Sequence, residues 1–102
     1  MPKVINLIVN DIPIKLEKFA ESYVEQVTIG MLHSLKGVGV INKVEVTIDK
    51  EGKVSVVLNN ADFPLKEFAQ KIIRSTYIGL LAPLKGTDRD KQFQKMELNI
   101  TR

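Results

Sequence analysis

Histidine and clustered carboxylates are the residue types in this chain best suited to act as acid, base or metal ligand. His33 is the only histidine among the 102 residues, and no sequence spacing supplies the partners that a nucleophilic triad or a metal site needs. Glu17, Glu21 and Glu25 follow one another at four-residue intervals and form an acidic row on a predicted helix. We expect this row to lie on a solvated helix face. The sequence therefore predicts no catalytic residue, no metal site and a protein that is not an enzyme.

Cysteine and glycine patterns exclude several kinds of cofactor chemistry. The chain contains no cysteine, which excludes disulfides, a thiol nucleophile, an iron–sulfur cluster and a cysteine-ligated zinc ion. The glycine-containing segment 37–40 follows a predicted helix and lacks a third glycine. A phosphate-binding loop instead joins a strand to the start of a helix. We assign this segment to a helix cap and expect no cofactor.

Net charge bears on nucleic-acid binding. The chain has 15 Lys and Arg residues against 12 Asp and Glu residues, a net charge of +3, and this excess is small and dispersed. Lysines and Arg89 in the segment 85–91 are able to contact phosphate, but Asp88 and Asp90 weaken their field. The predicted open face of the sheet carries no aromatic residue on which a base would stack. Weak nucleic-acid binding is the alternative function, behind self-association.

An internal repeat organises the chain. Residues 16–37 align with residues 65–86 at a constant offset of 49, and nine of these 22 positions are identical. The identical residues include large apolar side chains and glycines, so the two segments share the features that shape a packed helix and its end. We conclude that the two segments are copies of one structural unit.

The similarity extends upstream of the helices. Residues 3–10 match residues 53–60 at an offset of 50. The chain length allows one compact domain and not two. We therefore predict a single domain, residues 1–102, formed by an internal duplication whose copies are residues 3–49 and 53–101.

Each copy contains one predicted helix. Apolar residues recur at three- and four-residue spacing in both helices, and we place the core stripe of the first on Leu16, Tyr23 and Val27. Lys-Gly pairs follow both helices, where glycine suits a left-handed backbone. Pro83 predicts a kink or an early end of the second helix. A very short extra strand is predicted at residues 12–15 and at the equivalent place in the second copy.

The strands differ in their apolar pattern. Residues 41–49 and 94–101 alternate apolar with polar side chains, which we interpret as edge strands with one wet face. Residues 5–9 and 54–58 are more continuously apolar, so we predict that they are central. Gly52 is predicted to take a positive φ in the turn between the second and third long strands.

This order of elements predicts an α+β fold. We expect a ferredoxin-like βαββαβ sandwich, in which an antiparallel sheet carries both helices on one face. A domain-swapped arrangement and one with an extra hairpin are the alternatives.

The C-terminal halves of both predicted helices are apolar nearly all round. Leu32 and Leu81 fit a contact between the two helices of one chain. An apolar stripe on the outer side of a helix also commonly marks an interface. We therefore predict that a second copy of the chain contacts a set of five residues: Ile29, Leu32, Tyr77, Ile78 and Leu81.

These observations predict a small, self-associating module. We expect a cytoplasmic homo-oligomer, because no window of the sequence approaches a membrane-spanning length and its first residues lack the apolar segment of a signal peptide. A small ligand or a protein partner would bind between the subunits, where backbone groups leave little trace in the sequence.

Overall fold

The computed structural model describes residues 4–35, 37–81 and 95–102. Within these residues the chain forms six strands and two helices, and the order β-β-α-β occurs twice. The elements are β1 Val4–Val9, β2 Ile12–Ile14, α1 Lys18–His33, β3 Lys43–Ile48, β4 Val54–Leu58, β5 Ala61–Phe63, α2 Glu67–Leu81 and β6 Met96–Thr101.

The described strands form one antiparallel sheet with the order β2-β1-β6-β3-β4-β5. The predicted α+β class and antiparallel sheet are confirmed. The ferredoxin-like strand order is wrong, because β3 and β6 lie at the centre and β1 and β4 lie outside them. The alternating pattern of β3 and β6 reports one solvated face of the sheet, and a central antiparallel strand shows that pattern as readily as an edge strand does.

The two halves of the sheet correspond through its central strand pair. Val46 of β3 lies opposite Leu98 of β6. On either side of this pair, Leu7 of β1 lies opposite Leu98, and Val56 of β4 lies opposite Val46. Leu7 and Val56 are thus equivalent at an offset of 49, not the offset of 50 that sequence similarity suggested. A shift by one residue would turn every side chain of the strand to the other face.

The core lies between one face of the sheet and the two helices. Alternate strand residues point into it, and one side of each helix covers them. The other face of the sheet is not covered by α1 or α2. The buried apolar residues are Leu7, Val9, Ile14, Val24, Ile29, Leu32, Ile41, Val44, Val46, Ile48, Val54, Val56, Ile73, Tyr77, Leu81, Met96, Leu98 and Ile100.

Two short hairpins confirm the predicted extra strands. β1 turns into β2 through Asn10 and Asp11, whose φ angles are 50° and 67°, and β4 turns into β5 through Asn59 and Asn60 at 51° and 68°. Two successive residues with positive φ form the turn that matches the twist of an antiparallel hairpin. Asn and Asp tolerate this left-handed conformation better than other residues with a side chain. Each half thus carries an extra hairpin, although the strand order is not the ferredoxin-like one.

Each hairpin turn clamps the start of a central strand. The Asn10 backbone N–H donates to the Lys95 carbonyl at 2.9 Å, and the Lys95 N–H donates to Asn10 Oδ1 at 2.9 Å. Asn59 and Lys43 make the same two bonds, at 2.8 and 3.0 Å. Asp11 also accepts a bond from the Lys95 ammonium at 2.6 Å, which raises the pKa of Lys95. The turn asparagines therefore fix β1 to β6 and β4 to β3.

The rotation of the helices differs from the prediction. Tyr23, placed at the centre of the core stripe, is exposed, whereas Val24, Ile29 and Leu32 are buried. Apolar residues lie on opposite sides of each helix, so their spacing is compatible with either side facing the sheet. The side of α1 that faces the sheet carries the branched aliphatic residues Val24, Ile29 and Leu32, and its exposed side carries Phe19 and Tyr23.

The predicted glycine positions are confirmed where the structure describes them. Gly37, after α1, has a φ of 87°, and Gly52, before β4, has a φ of 84°. Both are left-handed conformations that glycine adopts without a steric cost. Lys36, Pro83 and the segment 85–91, with their predicted helix end, kink and phosphate contacts, lie outside the described residues.

Candidate functional site

A buried hydrogen bond joins the two helices on the side that faces the sheet. Thr28 of α1 and Tyr77 of α2 share it at a distance of 2.6 Å between Oγ1 and Oη. Burial raises the pKa of Tyr77 to about 12, although the bond to Thr28 acts to lower it. The two residues occupy equivalent positions of the repeat, 49 residues apart. The bond lies on the sides of α1 and α2 that face the sheet, and the opposite sides of both helices are exposed to solvent.

Most of the residues that the sequence assigned to an interface are buried within the chain. Ile29, Leu32, Tyr77 and Leu81 are buried within the single chain, so they are not exposed to a second copy in this structure. For Leu32 and Leu81 this burial agrees with the alternative of a contact within one chain. They cover the sheet because both helices are rotated relative to the prediction. Ile78 alone of the five predicted interface residues is exposed, with 44% of its surface accessible.

The outward side of the helices carries a different set of large apolar residues. Phe19 is 81% exposed and Phe68 is 73% exposed. Tyr23 and Ile72 follow them one helical turn later and are exposed too. Phe19 and Tyr23 lie with ring centroids 6.2 Å apart. We call the exposed set of Phe19, Tyr23, Phe68, Ile72 and Ile78 the outer helix face.

The outer helix face repeats between the two halves. Phe19 and Phe68 are equivalent at the offset of 49, as are Tyr23 and Ile72. Gly30 and Gly79 are equivalent as well, and a Cβ built at either one meets no atom within 4 Å. Each helix thus presents a phenylalanine near its start and a flat, open position near its end. In the sequence, the signal for this face is a pair of identical phenylalanines at equivalent positions. The rotation predicted for the helices placed these phenylalanines in the core.

Shallow grooves accompany both phenylalanines. One, of about 410 Å³, runs along α1 and is lined by Phe19, Ser22, Tyr23, Gln26 and Val27. The other, of about 450 Å³, lies where the end of α1 meets the start of α2. It is lined by Leu35, Phe63, Pro64, Leu65, Lys66, Phe68 and Ala69. Both are open and mainly apolar, so they suit an apolar side chain better than a charged metabolite.

Charges at the starts of the two helices are reversed between the halves. Glu17 and Lys18 begin α1, and the equivalent residues at the start of α2 are Lys66 and Glu67. All four are exposed. The two phenylalanines are therefore flanked by opposite charge patterns.

The predicted acidic row on α1 is not solvated along its whole length. Glu25 is 2% exposed, and Arg102 Nε donates to its Oε2 at 3.1 Å. Its equivalent on α2, Arg74, donates from Nη1 to the Gly52 carbonyl at 3.0 Å. The prediction of a solvated row is wrong at Glu25, because the C-terminal arginine reaches it beside the sheet.

The open face of the sheet is polar. Its strand residues include three carboxylates, Glu45, Asp62 and Glu97, and one lysine, Lys43. No aromatic residue of the described strands lies on this face, because Phe63 pairs with the core residue Val56. Carboxylates repel phosphate. The described part of this face therefore does not favour nucleic-acid binding.

Acid–base and metal chemistry find little support in the described residues. His33 is exposed in the last turn of α1. Across residues 4–35, 37–81 and 95–102, no group of three or more potential ligand side chains is placed to hold a metal ion. Over the same residues, neither helix has the length and apolar character that crossing a membrane requires. The outer helix face is thus the strongest candidate site.

Comparison with protein-family models, with curated proteins and with solved structures found no match to this chain.

Proposed function

We propose that this protein is a small self-associating module that joins copies of itself through the outer helix face and catalyses no reaction. The observation that carries the proposal is the exposure of Phe19 and Phe68 at equivalent positions of the two helices. Large exposed apolar patches on soluble proteins commonly mark interaction sites. Phenylalanine, tyrosine and methionine are enriched at such interfaces.

The free energies involved are compatible with a reversible dimer. Burying one phenylalanine or isoleucine side chain contributes about 1.5 to 3 kcal/mol. Association costs roughly 4 to 15 kcal/mol in lost translational and rotational freedom. A two-fold dimer would bury Phe19 and Phe68 from both chains, four phenylalanine side chains. Their gain, about 6 to 12 kcal/mol, is of the same order as the cost, so the four phenylalanines alone would give only weak association. Micromolar association needs a net gain of about 8 kcal/mol, which requires burial of Tyr23, Ile72 and Ile78 as well.

The repeated architecture supports the same proposal. We infer that the two halves arose by duplication of one β-β-α-β unit, since their turns, clamps and outer phenylalanines coincide. The residues that duplication would keep for the core are buried. Phe19 and Phe68 are identical as well, yet they take no part in the core cluster. Self-association gives these exposed side chains a role that folding does not.

A small ligand or a protein partner between the subunits belongs to this proposal. The open grooves beside Phe19 and Phe68 are where such a molecule would lie. The cytoplasmic location expected from the sequence stays a prediction.

The test is the solution mass of the protein and of a variant with both phenylalanines replaced. Sedimentation velocity across micromolar concentrations should show association of the parent chain. Phe19→Ser with Phe68→Ser should sediment as a single chain and keep its circular dichroism spectrum. Val40→Ser is the matched control, because Val40 is 78% exposed but lies in the loop before β3. Unchanged association of the double variant would refute the proposal.

A further inference from the structure

We infer that the partner on the outer helix face is a second copy of this chain, arranged so that α1 of one copy packs against α2 of the other. The inference rests on the proposed self-association and adds which surfaces meet. Its basis is the charge reversal between the two helix starts, together with the apolar residues that they share.

The helix starts carry complementary patterns. α1 begins with an acidic and then a basic residue, Glu17 and Lys18, and α2 begins with the reverse, Lys66 and Glu67. One turn further, the equivalent residues are Glu21 and Gln70, so the charge reversal is confined to the two residues at each helix start. When equivalent positions of α1 and α2 face each other across an interface, opposite charges therefore meet around the phenylalanines.

Pairing a helix with its own copy gives the opposite result. When the two helices run parallel, a two-fold contact between α1 and a second α1 brings Glu17 towards Glu17 and Lys18 towards Lys18. The same holds for Lys66 and Glu67 on α2. Like charges placed together oppose the wrong arrangement, and complementary ones fix the right arrangement and its register.

The apolar surfaces fit the same arrangement. Phe19 projects from the start of α1, and a groove of about 450 Å³ lies at the start of α2 beside Phe68 and Lys66. A phenyl ring seated there would bring Glu17, two residues away, to the neighbourhood of Lys66. In a closed two-fold dimer this contact occurs twice, because each chain supplies one α1 and one α2.

Cysteine cross-linking tests the pairing without background, since the chain has no cysteine. Ser22 and Lys71 are equivalent, exposed, and three residues beyond Phe19 and Phe68. Ser22→Cys and Lys71→Cys chains are mixed in equal amounts, oxidised mildly and weighed by mass spectrometry. A disulfide needs Cα atoms within about 7 Å. The mixture should give the 22–71 bond far above its statistical share, and either variant alone should stay uncross-linked.

The outcomes separate this inference from the proposed function. Dominant 22–22 or 71–71 bonds, or the statistical yields of random pairing, would overturn the α1-to-α2 pairing while leaving self-association in place. A parent chain that sediments as a single copy would instead remove the proposed function. Reversing Glu17→Lys and Lys18→Glu gives a second check, because association should weaken about tenfold and recover when Lys66→Glu and Glu67→Lys are added.

Discussion

Thr28 Oγ1 and Tyr77 Oη lie 2.6 Å apart in the buried contact between α1 and α2. These residues occupy the same position of the two repeated units, 49 residues apart, yet one is small and the other is large. Two identical large side chains could not both fill the space between two closely packed helices. The pair therefore marks a place where the halves had to differ in order to pack together.

The Thr28–Tyr77 bond predicts a coupling free energy that a double-mutant cycle measures. Tyr77→Phe and Thr28→Val should each lower the free energy of unfolding by about 1 to 2 kcal/mol, because each leaves a buried hydroxyl without this partner. The double variant should lose less than the sum, with a coupling of about 1 kcal/mol. Urea unfolding followed by circular dichroism gives the three values. Strict additivity would show that the bond contributes nothing.

The raised pKa of Tyr77 predicts a loss of stability in alkali. Burial raises this pKa from 10.0 to about 12, so above pH 10 the unfolded chain loses a phenol proton that the folded chain keeps. The stability that the neutral phenol supplies is complete below pH 10 and is lost as the pH rises towards 12. The slope due to this residue is at most about 1.4 kcal/mol per pH unit. Unfolding free energies between pH 9 and 11.5 should fall faster for the parent chain than for Tyr77→Phe, and parallel curves would contradict the assignment.

The turn clamp predicts an asymmetry between two adjacent asparagines. Asn59 Oδ1 accepts bonds from the Asn42 and Lys43 N–H groups, and its Nδ2 donates to the Val40 carbonyl. Asn59→Ala should therefore cost about 2 to 3 kcal/mol, as it loses these bonds and keeps a left-handed backbone.

The neighbouring Asn60 supplies the control for that variant. Its φ of 68° suits glycine, the residue preferred at the second position of this turn. Asn60→Gly should be neutral or stabilising by about 0.5 kcal/mol in the same urea titration. Equal effects of the two substitutions would indicate that the turn, and not the clamp, accounts for the loss.

The Glu25–Arg102 pair predicts that the Arg102 side chain contributes to stability. Arg102→Ala removes a donor that lies 3.1 Å from the Glu25 carboxylate, and the Glu25 side chain is only 3% exposed. Removing one member of a buried pair is destabilising, and because Arg102 is partly exposed we expect a loss of about 2 kcal/mol. Glu45→Gln is the matched control, as it alters the exposed Lys43–Glu45 pair and should cost less than about 0.5 kcal/mol. A comparable loss from both variants would contradict the special position of Glu25.

The sequence was sufficient for the α+β class, the antiparallel sheet, the short hairpins and the left-handed glycines. Strand order was mispredicted because the alternation in β3 reports a wet face and carries no information on which strands lie beside it. The helix rotation was mispredicted because Phe19 and Tyr23 are as apolar as the buried Ile29 and Leu32. Thr28 and Glu25 are polar residues in the buried layer, where they bond to Tyr77 and Arg102, partners that the sequence pattern does not indicate.

The same ambiguity hid the candidate site. An exposed Phe68 and a core Phe68 leave identical patterns in the sequence, and only the packing of α2 on the sheet separates them. Ile78, the one predicted interface residue that is exposed, lies on α2 beyond Ile72. Self-association through the helices thus remains a proposal, and most of the residues now assigned to the interface differ from those predicted from the sequence.

Sedimentation equilibrium of the unmodified chain over a hundredfold range of micromolar concentrations tests the central claim most directly. Self-association through the outer helix face predicts a mass that rises from that of one 11.5 kDa chain towards that of two as concentration increases. A mass that stays at 11.5 kDa throughout would contradict it.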